Sequence, residues 1–84
     1  MFRVVKIKKS EIVREWYCRT EEKAKEIVRT LVLEDYELNT DSYEEVFEQE
    51  EWTLDEFIEW VWEEKNFDDV LRVFEIEFEE DKEN

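Results

Sequence analysis

The chain has 84 residues and a formal net charge of −15, from 27 acidic and 12 basic side chains, and it contains no glycine, proline or histidine. The missing glycine excludes phosphate-binding loops and the EF-hand calcium loop, and the missing histidine excludes His-dependent catalytic pairs and the usual zinc sites. The single cysteine, Cys18, offers no intramolecular disulfide and is typical of a reducing compartment. The composition therefore argues against most enzymes.

The first third of the chain predicts a hairpin followed by a helix. Residues 2–8 and 11–18 are rich in β-branched and apolar side chains, and Lys9-Ser10 is the expected turn, although it lacks the glycine that tight hairpin turns prefer. Thr20 is the expected N-cap of the helix, and Asn39 is expected to end it in a left-handed conformation. The predicted buried stripe follows i, i+3, i+4, i+7 spacing: Ala24, Ile27, Val28 and Leu31.

Two short segments predict the starts of two further helices. Residues 42–45 and 53–56 each place a hydroxyl side chain three residues before a glutamate, which is the pattern of a capping box. Before the second of them, Trp52 can pack against Phe57 as a hydrophobic staple. We therefore expect one helix from Ser42 and another from Thr53.

Residues 70–79 predict a final strand, because apolar and acidic side chains alternate along them. The apolar set is expected to cover the helices, with the acidic set on the other face: Phe74, Ile76 and Phe78 against Glu75, Glu77 and Glu79.

The prediction is an α+β, small two-layer domain of residues 1–78. Its order is β-β-α-α-α-β, with a three-stranded, mainly antiparallel sheet packed on helices. Residues 79–84 are expected to form an acidic, disordered tail.

Charge is distributed unevenly along this domain. Residues 1–33 carry nine basic and five acidic side chains, a net charge of +4, whereas residues 34–84 carry a net charge of −19. Such an acidic protein is repelled by nucleic acid and by anionic membranes, so we expect neither as a direct partner. No segment is apolar enough for a signal peptide or a membrane span, so a cytoplasmic location is expected, in the host cell if the protein is viral.

Two rows of carboxylates and one tryptophan are the candidate partner-binding residues. On the helix from Thr53, four carboxylates at i, i+1, i+4 and i+8 share one face, although like charges at i, i+4 destabilise a helix. Alternate glutamates of the last strand lie roughly 6.6 Å apart. A tryptophan beside a charged rim is typical of an interface anchor. The candidates are Asp55, Glu56, Glu59, Trp60, Glu63, Glu75, Glu77 and Glu79.

Each of these features also has a purely structural interpretation. Lys6 and Lys8 could lie across the sheet from Glu75 and Glu77 and form ordinary cross-strand pairs. The acidic helix face could simply be solvated, and Trp60 could belong to a wide core. No carboxylate pair is singled out for acid–base catalysis or for a metal ion, and Cys18 lacks a base partner, so we expect no enzyme activity, cofactor or metal.

In its size, acidity, aromatic content and lack of histidine, the chain resembles the small viral inhibitors of host defence nucleases, which include DNA-mimicking anti-restriction proteins and anti-CRISPR proteins. The resemblance covers composition and the acidic segment 34–84, and it carries over no functional residue. It implies a protein-binding inhibitor whose acidic surface mimics nucleic acid and blocks the basic site of a nuclease or CRISPR effector. The alternative is a non-catalytic adaptor or assembly protein that uses its basic and acidic regions for different contacts, including contacts with its own copies.

Overall fold

Residues 1–77, which the computed structural model describes, form a four-stranded antiparallel sheet with three helices packed on one face. The elements are β1 (Phe2–Lys8), β2 (Glu11–Cys18), α1 (Glu21–Leu38), α2 (Thr40–Glu50), α3 (Leu54–Glu64), β3 (Asn66–Phe67) and β4 (Leu71–Glu75). The sheet order is β2-β1-β4-β3, so β1 lies in the interior and β2 forms one edge. No helix among these residues is both long and apolar enough to cross a bilayer.

The α+β class is confirmed, but the predicted strand number and element order are wrong. A two-residue strand, β3, follows α3 and pairs with β4, with Phe67 opposite Leu71. Two residues are too few to show an alternating pattern, so a period-two search does not detect such a strand. The order is therefore β-β-α-α-α-β-β. The tail predicted at residues 79–84 lies outside the described residues.

The glycine-free hairpin between β1 and β2 forms as predicted. Lys9 and Ser10 take positive φ angles of 53° and 66°, the left-handed conformation that a primed two-residue turn requires. A register shift between Lys6 and Ile7 adds an irregularity to the β1–β2 pairing. Because neither turn residue is glycine, the turn stores steric strain.

Helix starts agree with the sequence at α1 and α3 but not at α2. The Thr20 hydroxyl accepts the Lys23 N–H at 3.2 Å. Thr53 and Glu56 form the expected reciprocal capping box. By contrast, α2 already begins at Thr40, directly after Asn39, so Ser42 lies within the helix and caps nothing.

Asn39 ends α1, as predicted, but its φ of −132° corrects the expected left-handed conformation. The chain passes from α1 to α2 through this one residue, and the Thr40 hydroxyl donates to the Tyr36 carbonyl at 2.9 Å. This bond satisfies a carbonyl group at the end of α1, which glycine-type caps would otherwise serve. The two helices are therefore joined by a short polar junction.

The buried core lies between the sheet and the helices. Its main residues are Val4, Cys18, Ala24, Val28, Leu31, Val32, Tyr43, Phe57, Ile58, Val61, Trp62, Leu71 and Val73. Strand β4 contributes Leu71 and Val73, and Val73 lies opposite Val4 of β1. The predicted orientation of β4 is therefore wrong, because Phe74 points away from the helices and is 41% exposed. Both faces of this segment carry apolar side chains, so alternation alone does not select the buried one.

Candidate functional site

The acidic face of α3 is only partly available to a partner. Asp55 lies 3.1 Å from Arg29 Nη1, and Glu59 lies 3.8 Å from Lys25 Nζ, so α1 supplies cations to two of the four predicted carboxylates. The Glu56 carboxylate accepts the Thr53 N–H at 2.9 Å, while Glu63 is exposed. The sequence could not show this pairing, because it depends on the packing of α1 beside α3.

The predicted glutamate row of the last strand is not brought together as a row. Strand β4 ends at Glu75, which shares its side of the sheet with the buried Leu71 and lies opposite Phe2. Glu77 follows the strand and is exposed. Glu79 lies outside the described residues, so its placement stays a prediction.

The cross-strand pairing that could have explained this row is also wrong. Lys6 lies opposite Leu71 in the β1–β4 pairing, and its Nζ is 3.6 Å from Glu34 Oε1 of α1. The β1–β4 pairing runs from Phe2 to Lys6, so Lys8 has no opposite residue on β4. The lysines of β1 therefore do not neutralise Glu75 and Glu77 across the sheet.

Trp60 and Trp62 occupy different environments, as the helical wheel indicates. Trp62 is 7% exposed and belongs to the core, whereas Trp60 is 38% exposed. The Trp60 ring lies 5.5 Å from the Trp52 ring and 5.8 Å from the Phe57 ring, measured between centroids. The predicted staple between Trp52 and Phe57 is present, with ring centroids 5.8 Å apart. Trp62 is therefore a core residue, whereas Trp60 lies at the edge of the core, partly exposed and packed on buried Phe57.

A stronger concentration of negative charge lies on α2, where the sequence analysis named no site residue. At 100° per residue, four exposed carboxylates cluster on one face of this helix. We call this set the α2 acidic surface: Asp41, Glu44, Glu45 and Glu48. Within residues 1–77, no Lys or Arg nitrogen lies within 4.0 Å of a carboxylate oxygen of α2. Unlike half of the α3 row, this surface therefore has no ion-pair partner among residues 1–77.

Two signals in the sequence could have identified the α2 acidic surface. Its residues follow i, i+3, i+4, i+7 spacing, the same pattern that marks a buried stripe when the side chains are apolar. In addition, residues 34–64 contain fourteen acidic side chains and no Lys or Arg. Such a long stretch without a basic residue cannot neutralise itself locally, and only the packing of another element can do so.

A concave site lies on the opposite side of α2 from the α2 acidic surface, where the helix faces α3. It has a volume of about 590 Å³, and five of its twelve lining residues are aromatic, from α2, α3, β3 and the segment between α2 and α3. We call it the aromatic groove, with rings from Tyr43, Trp52, Phe57, Trp60 and Phe67. Three carboxylates also line it: Asp35, Glu50 and Asp68.

Tyr43 connects this groove to the core. Its ring is 6% exposed and meets Phe57 edge to face at 5.5 Å, and its hydroxyl donates a hydrogen bond to Asp35 Oδ2 at 2.5 Å. Burial, reinforced by the Asp35 carboxylate, raises the pKa of the Tyr43 hydroxyl. Tyr43 is therefore an uncharged donor that fixes the orientation of Asp35.

The opposite face of the sheet carries no helix of residues 1–77 and exposes several apolar side chains. We call it the open sheet face, represented by Val13, Tyr17 and Phe74, which are 52%, 59% and 41% exposed. Within it, Glu15 accepts hydrogen bonds from Arg3 Nε at 3.0 Å and from the Tyr17 hydroxyl at 2.9 Å. These two bonds, with that of Arg3 the larger influence, lower the pKa of the Glu15 carboxyl.

The described part of the chain contains neither an exposed thiol nor a cluster of metal ligands. Cys18 is buried, and burial raises the pKa of its thiol, which is the behaviour of a small core residue rather than of a nucleophile. Residues 1–77 contain no cluster of three or more acidic or cysteine side chains arranged to hold a metal ion. The described residues present three distinct surfaces, with charge on α2, aromatic rings in the groove and apolar side chains on the open sheet face.

Comparisons with known proteins identify no relative of the chain. No family model matches it, and neither a curated protein nor a solved structure shows significant similarity to it. Its function is therefore argued from these surfaces.

Proposed function

We propose that the protein is an inhibitor that binds a basic protein and occupies its DNA- or RNA-binding site. The observation that carries this proposal is the α2 acidic surface, which lies in a stretch of fourteen acidic side chains without one basic residue. Glu63 of α3 is a further exposed carboxylate. A helix that displays carboxylates along one face offers a series of negative charges, as phosphates do along a nucleic-acid strand.

The energetics of α2 support a role in binding. Glu44 and Glu48 lie one helical turn apart, and like charges at this spacing destabilise a helix by about 0.2–0.5 kcal/mol per pair. A net charge magnitude of about 2–8 already keeps a small domain soluble, and this chain carries −15. The excess negative charge has a physical use when the protein meets a basic surface, because it accelerates association and makes it sensitive to salt.

Within this function, the narrower partner that we propose is a nuclease, of the CRISPR effector or restriction type. Its support is the resemblance in composition to the viral inhibitors of such enzymes. The binding surface that we propose is the α2 acidic surface, and exposed Glu56, Glu63 and Trp60 of α3 are candidate contacts outside it. Asp55 and Glu59 contribute less, because Arg29 and Lys25 already lie beside them.

The experiment that tests this function has two stages. Tagged protein is first used to capture partners from nuclease-treated host lysate at about 0.1 M and 0.5 M salt, where surface charge is weakly and strongly screened. Each captured protein is then purified, and its labelled DNA or RNA ligand is competed with the inhibitor. We expect displacement of the nucleic acid at the lower salt concentration. Partners that keep their nucleic acid bound in the presence of saturating inhibitor would contradict the proposal.

Two double variants with the same change in charge show which carboxylates act. Glu44→Gln with Glu48→Gln removes two unpaired charges, whereas Asp55→Asn with Glu59→Gln removes two that are paired with α1. We expect the first variant to weaken displacement at least tenfold and the second to have a smaller effect. Equal losses would show that net charge alone matters and would remove the α2 acidic surface from the proposal.

The open sheet face favours a second candidate function, that of an adaptor or assembly protein. Its exposed apolar side chains, including Val13 and Tyr17, lie on and beside the edge strand β2, and exposed Lys8 and Lys9 lie at its hairpin end. Sedimentation at increasing salt separates the two candidates. Oligomers that dissociate as salt rises would indicate pairing between basic and acidic regions of different copies, whereas a monomer at low salt would exclude this assembly.

A further inference from the structure

We infer that the aromatic groove binds an arginine side chain of a basic protein partner. This inference rests on the proposed function, because it names the chemistry by which that function's partner is recognised. The groove is distinct from the α2 acidic surface, since its rings lie on the side of α2 that faces α3. The acidic surface attracts any cation, whereas the groove has a shape that can select among them.

The groove presents flat aromatic faces at a partly exposed site. Trp60 and Trp52 lie 5.5 Å apart with an angle of 37° between their planes, and Trp60 is stacked on Phe57 with an angle of 30°. Phe57 and Tyr43 are buried beneath, so the floor is rigid. A side chain that enters is therefore in contact with ring faces that need no rearrangement, which lowers the entropic cost of binding.

The charges that line the groove are all of one sign. Asp35, Glu50 and Asp68 contribute carboxylates, and no Lys or Arg of the described residues lines the site. Asp35 is held by the Tyr43 hydroxyl, so its position is fixed before a partner arrives. An aromatic concavity with three carboxylates repels anions. An apolar ligand would also fit poorly, because it could not compensate the charge of the carboxylates. The groove is complementary to a cation with an apolar stem.

Trp16 and Trp62, which lie outside the groove, each have a cation over the ring. The Arg14 guanidinium lies 5.0 Å from the ring centre of Trp16, and Lys65 Nζ lies 4.3 Å from that of Trp62. Among the cation–π pairs of residues 1–77, none involves Trp52 or Trp60. Within the described residues, the two tryptophans that face the groove thus have no cation over their rings, unlike Trp16 and Trp62. A cation from a partner would complete the same arrangement.

Arginine fits these requirements better than lysine. Its guanidinium is planar, stacks on aromatic faces and is more weakly hydrated than an ammonium group, so it enters a partly apolar site at lower cost. It can also donate two parallel hydrogen bonds to one carboxylate at the rim. Arginine is abundant in sites that bind nucleic acid, which are the sites that the proposed function blocks.

The test uses two peptides of equal length and charge, hexa-arginine and hexalysine, titrated into the full-length protein by calorimetry at about 0.15 M and 0.5 M salt. A cation–π contact that is partly desolvated corresponds to about a tenfold difference in affinity, so we expect hexa-arginine to bind about tenfold more tightly. The preference should persist at the higher salt concentration, because contacts inside a groove are screened less than those on an open surface.

Matched variants locate the preference. Trp60→Ala should lower the affinity for hexa-arginine to that for hexalysine, and Tyr17→Ala on the open sheet face should leave both unchanged. Asp68→Asn with Glu50→Gln should reduce the preference without altering the aromatic packing, since Asp68 has a φ of 43°, which asparagine also tolerates. Glu44→Gln with Glu48→Gln should lower the affinity for both peptides by the same factor.

Each remaining outcome contradicts the inference in a recognisable way. Equal, salt-sensitive binding of both peptides would overturn the groove and leave the acidic surface of the proposed function intact. An arginine preference that survives in Trp60→Ala would place the arginine site elsewhere. Self-association that Trp60→Ala abolishes would assign the groove to a second copy and overturn the inference. Failure of both peptides to bind at the lower salt would overturn both proposals, whereas failure of nucleic-acid displacement alone contradicts only the proposed function.

Discussion

The Tyr43 hydroxyl of α2 donates a hydrogen bond to the Asp35 carboxylate of α1, across the junction at Asn39. This bond joins two helices that are separated by a single residue, and it lies where the core meets the aromatic groove. The Tyr43 ring also meets Tyr36 and Phe57 edge to face, each with 5.5 Å between centroids. The angle between α1 and α2, and with it the shape of the groove, therefore depends on Tyr43.

We expect Tyr43→Phe to lower the free energy of unfolding by about 1.5–3 kcal/mol, because it removes a hydrogen bond to a charged group in a partly buried place. Tyr17→Phe is the matched control, since its hydroxyl also donates to a carboxylate, that of Glu15, but at an exposed position. The control should lose less than about 1 kcal/mol. Urea unfolding curves give both values, and equal losses would show that burial adds nothing to the Tyr43 bond.

The raised pKa of Tyr43 predicts a loss of stability in alkaline solution. In the unfolded chain this hydroxyl titrates near its ordinary pKa of 10.0, whereas in the folded protein its pKa is higher. Its contribution to stability is therefore complete below pH 10.0 and falls as the pH rises above that value, by at most about 1.4 kcal/mol per pH unit. The wild type should lose this stability and Tyr43→Phe should not. Parallel pH profiles for the two proteins would contradict the assignment.

Two helix ends carry left-handed residues that are not glycine, and they offer a matched pair of substitutions. Glu51 ends α2 with a φ of 58°, and Lys65 ends α3 with a φ of 61°. Glu51→Gly should stabilise the protein by about 1 kcal/mol, because glycine takes this conformation without a steric penalty. Lys65→Gly should gain less, since it also removes the bond from Lys65 Nζ to the Trp62 carbonyl and the contact with the Trp62 ring.

Thermal unfolding of the two variants measures this difference. A gain of 1 kcal/mol raises the Tm of a domain of this size by roughly 4–8 °C. If Glu51→Gly destabilised the protein, the exposed Glu51 side chain would make a contact that stabilises the fold by more than the relief of backbone strain does. A larger gain for Lys65→Gly than for Glu51→Gly would contradict the stabilising role of the Lys65 contacts.

Local signals in the sequence were enough to predict the parts of the fold that are set locally. Three such features are present in the structure: the helix caps at Thr20 and Thr53, the hairpin turn at Lys9-Ser10, and the packing of Trp52 on Phe57. Each depends on residues within about five positions of one another, so the chain's own pattern determines it.

The candidate site was less predictable, because it depends on which elements pack together. Arg29 and Lys25 of α1 partner two of the predicted carboxylates, a pairing between residues 26 and 34 positions apart. The groove likewise joins Asp35, Trp60 and Asp68 from separate parts of the chain. The spacing of the α2 acidic surface is present in the sequence, but the Ser42 capping box predicts a helix that begins after Asp41, whereas α2 begins at Thr40 and includes it.

The orientation of β4 is the prediction from sequence that the structure reverses most clearly, and two substitutions test it. Leu71 is completely buried against the helices, whereas Phe74 is 41% exposed on the open sheet face, beneath the Arg3 guanidinium at 5.3 Å. Leu71→Ala should cost about 2–5 kcal/mol, because it leaves a cavity in the core. Phe74→Ala removes a larger side chain, yet it should cost no more than about 1–1.5 kcal/mol, since much of the ring already contacts water and an exposed cation–π contact contributes about 0.5–1 kcal/mol.

Urea unfolding of both variants decides between the two orientations. The alternation of residues 70–79, taken alone, places Phe74 in the core and predicts the opposite ranking, with Phe74→Ala the more damaging change by about 3–5 kcal/mol. Leu71→Val serves as a control, because it shortens the same buried side chain without emptying the site and should cost about 0.5–1.5 kcal/mol. A larger loss for Phe74→Ala than for Leu71→Ala would mean that β4 presents its other face to the helices, and the open sheet face would then lose its most exposed ring on β4.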